Sequence, residues 1–522
     1  MMKTLLYTIM LFVGLNLAAQ TKINPKLYAQ ELKQADLLFE SEDYLKAINA
    51  YRKVLAIDPA HDKANLNSLI SRLKLHQLID SCSINSERLK NSKTPEAIFY
   101  IGKTQELNSY FDDAIISFEK YKGIKEALRE IPNSEIDYEI ACCKRAKEFM
   151  SQPQLARIRN VGAPINTSFP EYVPLISLDG KSLYFTSRRT GSTGDLVDAY
   201  GNYYEDVYVT QKNEKGEWDK PKNMGTPINT KTHDACVALS FDGNQMIIYR
   251  TAPDQLTGDL YISKMGFDGW SEPQKFGPEI NTPHIETSAC FSNDTSVIYF
   301  SSNKPGGLGG KDLYRIKKLP NGRWSLPMNL GPTINTERDE DSPFLHPDGI
   351  TLYFSSKGHN TMGGFDVYKT ILNAATNQFS TPENLGYPIN SINDDIFFVM
   401  NIDGTKGYYS SVKEDSKGSS DIYEIDTRFG SNDLKVKHCK VIFGSEPQKA
   451  KITVIDIDNK QISGIYNASA KTGKFLMVLN PLKPYKAIVE EDGFQTMIID
   501  IEPLANEKIE NPELILSLTK KR

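Results

Sequence analysis

Five carboxylates recur at one position of a repeated segment and are the first candidates for chemistry. Each lies five residues after an asparagine that follows isoleucine: Glu171, Asp234, Glu286, Glu340 and Asp395. If the innermost strands of a ring of sheets began there, the acids would converge near a channel mouth and could bind a cation or a basic peptide. An acid that every copy carries is more economically explained by what every copy needs, such as a hydrogen bond to a turn of its neighbour. The two hypotheses predict different surroundings for the five side chains.

A second and a third set of aspartates recur in the same copies. Thirteen residues after the asparagine stands an aspartate that glycine follows in four copies, which is typical of a hairpin turn. These residues are Asp179, Asp242, Asp294, Asp348 and Asp403. An alternating aromatic strand comes next, and then an Asp-x-Tyr element that begins at Asp206, Asp259, Asp312, Asp366 and Asp421. We interpret both sets as structural, because they are shared by all copies.

Enzyme signatures are mostly absent from the sequence. It contains no G-x-S-x-G and no H-E-x-x-H element, and its seven histidines do not cluster. The glycine run at residues 306–310 precedes Asp312 as Gly363 and Gly364 precede Asp366, which indicates a hairpin and not a phosphate loop. A glycosidase would need acids specific to single copies, whereas these acids are common to the copies. The sequence therefore predicts no enzyme, no catalytic residue and no cofactor, and a hydrolase stays a less favoured alternative.

The spacing of the copies predicts the element that must position these residues. The copies begin at Asn166, Asn229, Asn281, Asn335 and Asn390, so successive copies are 63, 52, 54 and 55 residues apart. A period near fifty with strand-like content predicts a β-propeller, here with five blades over residues 155–427. The fifth copy lacks the strand that begins with Trp or Phe in the others. We expect residues 155–166 to supply it, because an open ring would expose unpaired strand edges.

The first copy carries an insertion at residues 190–202. Its Asp-x-Tyr element lies 40 residues after Asn166, against 30 or 31 residues in the other copies. An insertion in one blade of a regular ring is a reasonable recognition loop. Asp195, Asp198 and Tyr200 are then binding candidates, and Glu340 is another, because residues 337–341 also differ between copies. The alternative is a surface loop without function.

Residues 26–150 have a helical apolar period. Small and aromatic residues, among them Ala35, Ala47 and Tyr51 and later Gly102 and Phe118, stand where two antiparallel helices must touch. The pattern resembles a tetratricopeptide repeat, with degenerate helices expected at about 62–77 and 134–149. In such repeats the first helix of each pair lines the concave face, which predicts binding residues Asp36, Glu40, Phe99, Lys103 and Glu106. An ordinary solvated helix surface is the alternative for each of them.

Composition and the first residues limit the compartment and the partners. A net charge of −5 makes nucleic acid an unexpected partner. Residues 1–20 combine Lys3, an apolar run and a small-residue exit, which predicts a secretory signal peptide. No later stretch is apolar enough to span a bilayer, so we expect contact with a membrane only through a partner. The six scattered cysteines are expected to be buried thiols.

Residues 434–518 change to short alternating strands. Strands are predicted at 435–443, 451–457, 473–479, 485–490 and 496–501. The order of a Thr472–Gly473 turn and a closing Gly493–Phe494 step resembles the carboxypeptidase regulatory-like domain. That resemblance implies a small, non-catalytic β-sandwich. The predicted fold class is thus multidomain α and β, with a helical solenoid, a propeller and a sandwich.

The repeat itself also resembles a known family. Residues 177–187, 309–314 and 363–368 are similar to the WD40-like PD40 repeat of TolB-type proteins. The order of the domains is similar to that of PorE-type periplasmic proteins of type IX secretion and gliding, whose OmpA-like domain this sequence does not contain. The resemblance implies a non-catalytic periplasmic adaptor at the outer membrane, with a partner such as a PorP/SprF-type barrel or another secretion-system subunit, and without direct anchoring to the cell wall. The alternative is a propeller that binds glycan, peptidoglycan or a small ligand.

Overall fold

The computed structural model describes residues 25–75, 79–198, 201–252, 257–373, 376–401, 404–427, 435–458, 460, 462–470, 472–479, 483–503 and 513–521. The predicted signal peptide and Tyr200 lie outside these residues. The chain combines helices with many small antiparallel sheets. It divides into two compact units, Met1–Ile136 and Asp137–Arg522. Within the described ranges, no helix has both the length and the apolar character needed to cross a membrane.

The first unit is helical. Its helices are α1 (Pro25–Glu40), α2 (Tyr44–Ile57), α3 (Asp62–Lys74), α4 (Ile79–Arg88), α5 (Pro95–Leu107) and α6 (Phe111–Lys122), and α7 (Asn133–Ser151) continues into the second unit. Consecutive helices contact each other from α1 to α6. Ala35 of α1 shares one core with Ala47 and Tyr51 of α2. A Cβ atom on Gly102 would lie 2.7 Å from Cε1 of Phe118, so the glycine lets α5 and α6 approach closely.

The second unit contains five small sheets, one for each sequence repeat. Sheet 1 comprises β2 (Glu171–Ile176), β3 (Ser182–Ser187), β4 (Asp206–Gln211) and β5 (Lys222–Asn223). Sheet 2 comprises β6 (Asp234–Leu239), β7 (Gln245–Thr251), β8 (Gly258–Gly266), β9 (Gly269–Trp270) and β10 (Gln274–Lys275). Sheet 3 comprises β11 (Ala289–Phe291), β12 (Val297–Ser302), β13 (Asp312–Lys317) and β14 (Met328–Asn329). Sheet 4 comprises β15 (Glu340–Leu345), β16 (Thr351–Ser356), β17 (Asp366–Asn373), β18 (Gln378–Phe379) and β19 (Glu383–Asn384).

Sheet 5 joins the two ends of the repeat region. It comprises β20 (Ile396–Met400), β21 (Lys406–Ser411), β22 (Asp421–Asp426) and, from the start of the region, β1 (Arg157–Asn160). Strand β1 pairs antiparallel with β22 from Arg157 opposite Asp426 to Asn160 opposite Tyr423. This pairing confirms that the segment before the first copy completes the fifth.

The inner strands of the five sheets contact each other in a closed circuit. Strand β2 contacts β6, β6 contacts β11, β11 contacts β15, β15 contacts β20, and β20 contacts β2. The repeated asparagine ties each sheet to the one before it. Asn335, for example, accepts from the Leu313 amide at 2.8 Å and donates to the Leu313 carbonyl at 3.0 Å. The asparagine thereby supplies the partner of the Leu313 amide and a second donor to the Leu313 carbonyl, which also accepts from the Leu330 amide at 3.0 Å.

Two further sheets follow the ring and share one apolar core. One contains β23 (Lys435–Phe443), β24 (Glu446–Pro447), β27 (Lys474–Leu479) and β30 (Leu514–Ser517), and the other contains β25 (Ala450–Asp456), β26 (Ile462–Ala468), β28 (Tyr485–Glu490) and β29 (Met497–Ile501). Val441, Ile452 and Val489 pack together in this core. Five of these strands lie where the sequence predicts them. Strands β24, β26 and β30 are additional, and β30 pairs parallel with β23.

Helix α7 packs by its later residues on sheet 4. The Tyr138 hydroxyl donates to the Lys357 carbonyl at 2.7 Å, and Arg145 Nε donates to the Thr361 carbonyl at 2.5 Å. The Arg338 guanidinium lies 3.4 Å from the Tyr138 ring centroid. These contacts explain why the compact units divide within α7, whereas the sequence pattern places the end of the helical domain near residue 150.

Candidate functional site

The repeated carboxylates are buried and bind groups of their own sheet. In sheet 4, Glu340 accepts from Thr336 at 2.8 Å from the backbone amide and 2.7 Å from the hydroxyl. The Ser356 hydroxyl donates to the same carboxylate at 2.7 Å. Glu171 and Glu286 bind threonine and serine at the same two positions of sheets 1 and 3. Each acid therefore fastens the loop before its strand to the adjacent strand.

The two aspartates of the set follow the same rule. Asp234 accepts from both the amide and the hydroxyl of Thr230, and Asp395 accepts from both groups of Ser391. The candidate ring thus distributes its acids over five sheets. Among the described residues, no three His, Cys, Asp or Glu side chains form a group that could hold a metal ion. The acids are thus engaged by the loop that precedes their own strand, and not by a turn of the neighbouring copy.

A cationic side chain accompanies the carboxylate in sheets 1, 2 and 5. The pairs are Arg189 with Glu171 at 3.1 Å, Arg250 with Asp234 at 2.5 Å, and Lys413 with Asp395 at 3.5 Å. In sheet 4, His359 lies where the other sheets have the cationic side chain. Its Nε2 is 2.9 Å from the Ile334 carbonyl, and in sheet 1 Arg189 donates to the corresponding carbonyl, that of Ile165. Burial lowers the pKa of His359 and raises the pKa of Glu340 to about 7.

The Asp-x-Tyr aspartates close hairpins. Asp312 accepts from the amides of Leu308 at 2.7 Å and Gly309 at 3.1 Å, and from Asn329 at 2.6 Å. Asp366 uses a single oxygen, Oδ2, to accept from the Met362 amide at 3.0 Å and from Asn384 at 2.6 Å. Burial raises the pKa of Asp366 to about 8. The glycine run at 306–310 belongs to such a hairpin.

A cavity of about 760 Å³, including space open to solvent, lies where the five inner strands meet. Its lining is mostly aliphatic and aromatic, with Leu178, Phe241, Phe344 and Met400 among the contributing residues. None of the described lining residues is Asp, Glu, Lys, Arg or His, so the repeated carboxylates stand outside it. The cavity can therefore surround an apolar group but offers no ionic partner to a charged one.

The insertion of the first copy is a small hairpin held by Arg188. This arginine forms a salt bridge with Asp198, and its Nε donates to the Tyr203 carbonyl at 3.1 Å. Asp195 is exposed with a left-handed φ of 53°. Beside it, Leu196 and Val197 are 45% and 51% exposed. The hairpin thus presents apolar side chains that the sequence interpretation, centred on Asp195, Asp198 and Tyr200, did not include.

The helical candidates are only partly at the surface. Glu40 is exposed, and Asp36 accepts from the Tyr51 hydroxyl at 2.7 Å and from Lys63 at 2.8 Å. Lys103 Nζ lies 2.6 Å from Glu106, which is 2% exposed.

Placing Phe99 and Glu106 on a concave binding surface was wrong, because both side chains are buried. The Phe99 ring packs against Phe118 and Tyr121, with centroids 5.3 and 5.6 Å apart. Position in the first helix of a pair does not distinguish an inward from an outward face.

Two polar clusters at joints between sheets were missed by the sequence analysis. Between sheets 1 and 2, Tyr172 donates to Glu205, whose carboxylate lies 3.1 Å from Nδ1 of His233. Between sheets 3 and 4, Lys311 Nζ lies 2.8 Å from Asp341, which also accepts from the Ser288 hydroxyl. The available signal was that two repeat positions carry polar side chains in more than one copy. Tyr172 and Asp341 both follow the repeated acid, and Glu205 and Lys311 both precede the Asp-x-Tyr element.

No protein-family model and no curated protein matches the chain. A solved structure described as a glycoside hydrolase is 10% identical, with a TM-score of 0.37, over 57% of this chain and 96% of its own. An α-L-arabinofuranosidase from Lactobacillus brevis is 12% identical, with a TM-score of 0.31, over 51% and 91%. A hypothetical protein from Leishmania major is 13% identical, with a TM-score of 0.34, over 55% and 97%. These values assign neither a family nor an activity.

Proposed function

We propose that this chain is a non-catalytic periplasmic adaptor, built from a tetratricopeptide-like helical unit, a five-bladed propeller and a regulatory-like sandwich. The adaptor is peripherally associated with the outer membrane through a barrel of PorP/SprF type, in type IX secretion or gliding. The order of the repeat motifs along the chain supports this assignment. The closed circuit of five inner strands supports the propeller, and the shared core of the last two sheets supports the sandwich.

The observation that carries the proposal is the use of the repeated acids. Each accepts hydrogen bonds from the residue four positions before it, as Glu340 does from Thr336. Acids engaged in this way hold a joint between loop and strand and are not presented to a substrate. None of the described residues that line the central cavity is Asp, Glu, Lys, Arg or His. These features favour a binding scaffold over a hydrolase.

The insertion hairpin is the surface that we assign to the partner. Its base is held by Arg188 through Asp198 and the Tyr203 carbonyl. Its exposed Leu196 and Val197 belong to a loop that the other copies lack. A pre-ordered loop with apolar side chains loses little conformational entropy when it docks against another protein. A barrel loop that contains an apolar pocket would complement the Leu196 and Val197 side chains.

Co-purification tests the adaptor function directly. The full chain would be produced together with an outer-membrane barrel of PorP/SprF type, extracted in mild detergent and captured by affinity. We expect the barrel to co-elute with the wild-type chain and to be lost in the double variant Leu196→Asp/Val197→Asp. Leu326→Asp is the matched control, because Leu326 is 82% exposed, lies between β13 and β14 and is outside the hairpin.

Two results would count against the adaptor. Retention of only muropeptides, with no barrel, would favour the glycan-binding alternative. Hydrolytic turnover that disappears when an acid of one sheet is replaced would favour an enzyme.

A further inference from the structure

The central cavity contains one polar group that the fold does not use. Ser342 lines the cavity, is 5% exposed, and its hydroxyl has no hydrogen-bond partner among the described residues. Its φ of 53° lies in the left-handed region, at a β-bulge of strand β15. A buried hydroxyl without a partner is destabilising by about 1–3 kcal/mol, so its presence requires an explanation.

The bulge does not require a hydroxyl at this position. Val173 in sheet 1 and Phe397 in sheet 5 occupy the equivalent bulges with φ of 52° and 57°. The nearby hydroxyl of Ser288 is already engaged, because it donates to Asp341 and accepts from the Ser342 amide at 3.0 Å. The Ser342 hydroxyl is thus available to a molecule in the cavity.

The rest of the cavity limits what that molecule can be. The described lining has no Asp, Glu, Lys, Arg or His side chain, so a charged group inside would be desolvated without an ionic partner. Leu178 follows the end of β2 and is 44% exposed, whereas Ser342 stands near the start of β15. The lining strand from Val173 to Leu178 spans roughly 16 Å at about 3.3 Å per residue.

We propose that the central cavity binds an uncharged amphiphile, such as a medium-chain alcohol, ester or amide. Its apolar chain lies along the inner strands towards Leu178, and its hydrogen-bonding group meets the Ser342 hydroxyl. The inference does not depend on the adaptor function, because it concerns the central cavity and not the insertion hairpin.

Fluorescence displacement on the full chain tests the site. N-phenyl-1-naphthylamine, an apolar dye that brightens on burial, would be bound first and then displaced by 1-decanol, decanoate or decyltrimethylammonium. We expect 1-decanol to compete at least tenfold better than either ion. Ser342→Ala should weaken competition by 1-decanol about fivefold, the effect of one hydrogen bond, while dye binding stays unchanged.

Two matched controls make the result specific. Ser177→Ala should leave competition by 1-decanol unchanged, because the hydroxyl of this lining serine is already bound to Asp179 at 2.6 Å. Leu178→Arg should abolish dye binding, whereas Leu326→Arg should not, and thermal unfolding would verify that both variants fold. Equal behaviour of the two arginine variants, equal behaviour of the two serine variants, or better competition by an ion would each overturn the proposal.

Discussion

Asn166 and Ile422 are 256 residues apart in the sequence and close the ring by one amide. Asn166 Nδ2 donates to the Ile422 carbonyl at 2.9 Å, and its Oδ1 accepts from the Ile422 amide at 3.0 Å. The same pair of bonds joins Asn229 to Val207 within the contiguous part of the chain. The same pair of hydrogen bonds therefore joins consecutive sheets and also joins the start of the repeat region to its last sheet.

Asn166→Ala should destabilise the protein by about 1–3 kcal/mol, because the buried Ile422 amide loses its partner. The Ile422 carbonyl keeps the Val161 amide, which donates to it at 3.2 Å. Hydrogen exchange should accelerate in β1 and β22. Asn229→Ala is the matched variant, and its faster exchange should be confined to β4 around Val207. Exchange that is unchanged in β22 of Asn166→Ala would contradict the role assigned to this amide.

Asp366 predicts a pH dependence of stability. Its pKa is raised by burial to about 8, from about 3.8 for an exposed aspartate. The folded state therefore binds this proton more tightly than the unfolded state. The resulting stability is fully present below pH 3.8 and is lost as the pH rises through about 8. Denaturant unfolding at pH 5, 7 and 9 should show the decline.

Asp366→Asn should remove part of that decline and stabilise the protein at pH 9, on the order of 1 kcal/mol. The asparagine oxygen can keep both bonds that Oδ2 accepts, from Met362 and Asn384. Asp312→Asn is the contrast, because both Asp312 oxygens accept backbone amides. It should destabilise by about 1–3 kcal/mol. Identical pH profiles for wild type and Asp366→Asn would exclude this carboxyl as the source.

Gly309 should not tolerate a side chain. A Cβ atom there would lie 2.1 Å from the Arg338 carbonyl oxygen, in the loop that precedes Glu340. Gly309→Ala is expected to lower the free energy of unfolding by about 1–3 kcal/mol through overpacking of the joint between sheets 3 and 4. Gly266→Ala, whose Cβ would meet its nearest neighbour at 3.6 Å, should change it by less than about 1 kcal/mol. Urea unfolding compares the two, and equal losses would exclude the close approach as the cause.

Arg188→Met should loosen the insertion hairpin. The substitution removes the salt bridge with Asp198 and the bond to the Tyr203 carbonyl, in surroundings where both charged side chains are under 20% exposed. We expect a loss of about 2 kcal/mol and faster hydrogen exchange at residues 192–204. Lys212→Met, on the adjacent outer segment of sheet 1, is the control and should leave exchange of the hairpin unchanged.

Much of the fold could be predicted from the spacing of the repeats. Because each copy places its asparagine, acid and Asp-x-Tyr at fixed distances, the order of strands in the sheets follows from one copy compared with the next. The missing strand of the fifth copy even predicts the pairing of β1 with β22. Helix α4 was not predicted, because its sequence is largely polar and lacks a clear apolar period. The parallel pairing of β30 with β23 depends on contacts between distant segments, which no local pattern records.

The candidate sites were less predictable for a different physical reason. Tyr172, Glu205 and His233 meet across a joint between two sheets, so their proximity depends on neighbouring copies and not on the repeat itself. Phe99 shows the opposite problem, because helical spacing alone does not say which side of a helix is buried. Leu196 and Ser342, the residues that we assign to binding, could not be identified from the sequence, because their roles depend on exposure and on neighbours that only the structure gives.

The ladder between β1 and β22 has a mechanical consequence. Arg157 pairs with Asp426, so the chain enters β1 and leaves β22 at the same end of the ladder. A pulling force applied through residues 156 and 427 would load the pairs one after another, as in opening a zipper, and not all together in shear. The contacts of Tyr138 and Arg145 with sheet 4 would bear tension that arrives from the helical side first. Under load, β1 should therefore separate from β22, while the other strands of the five sheets stay paired.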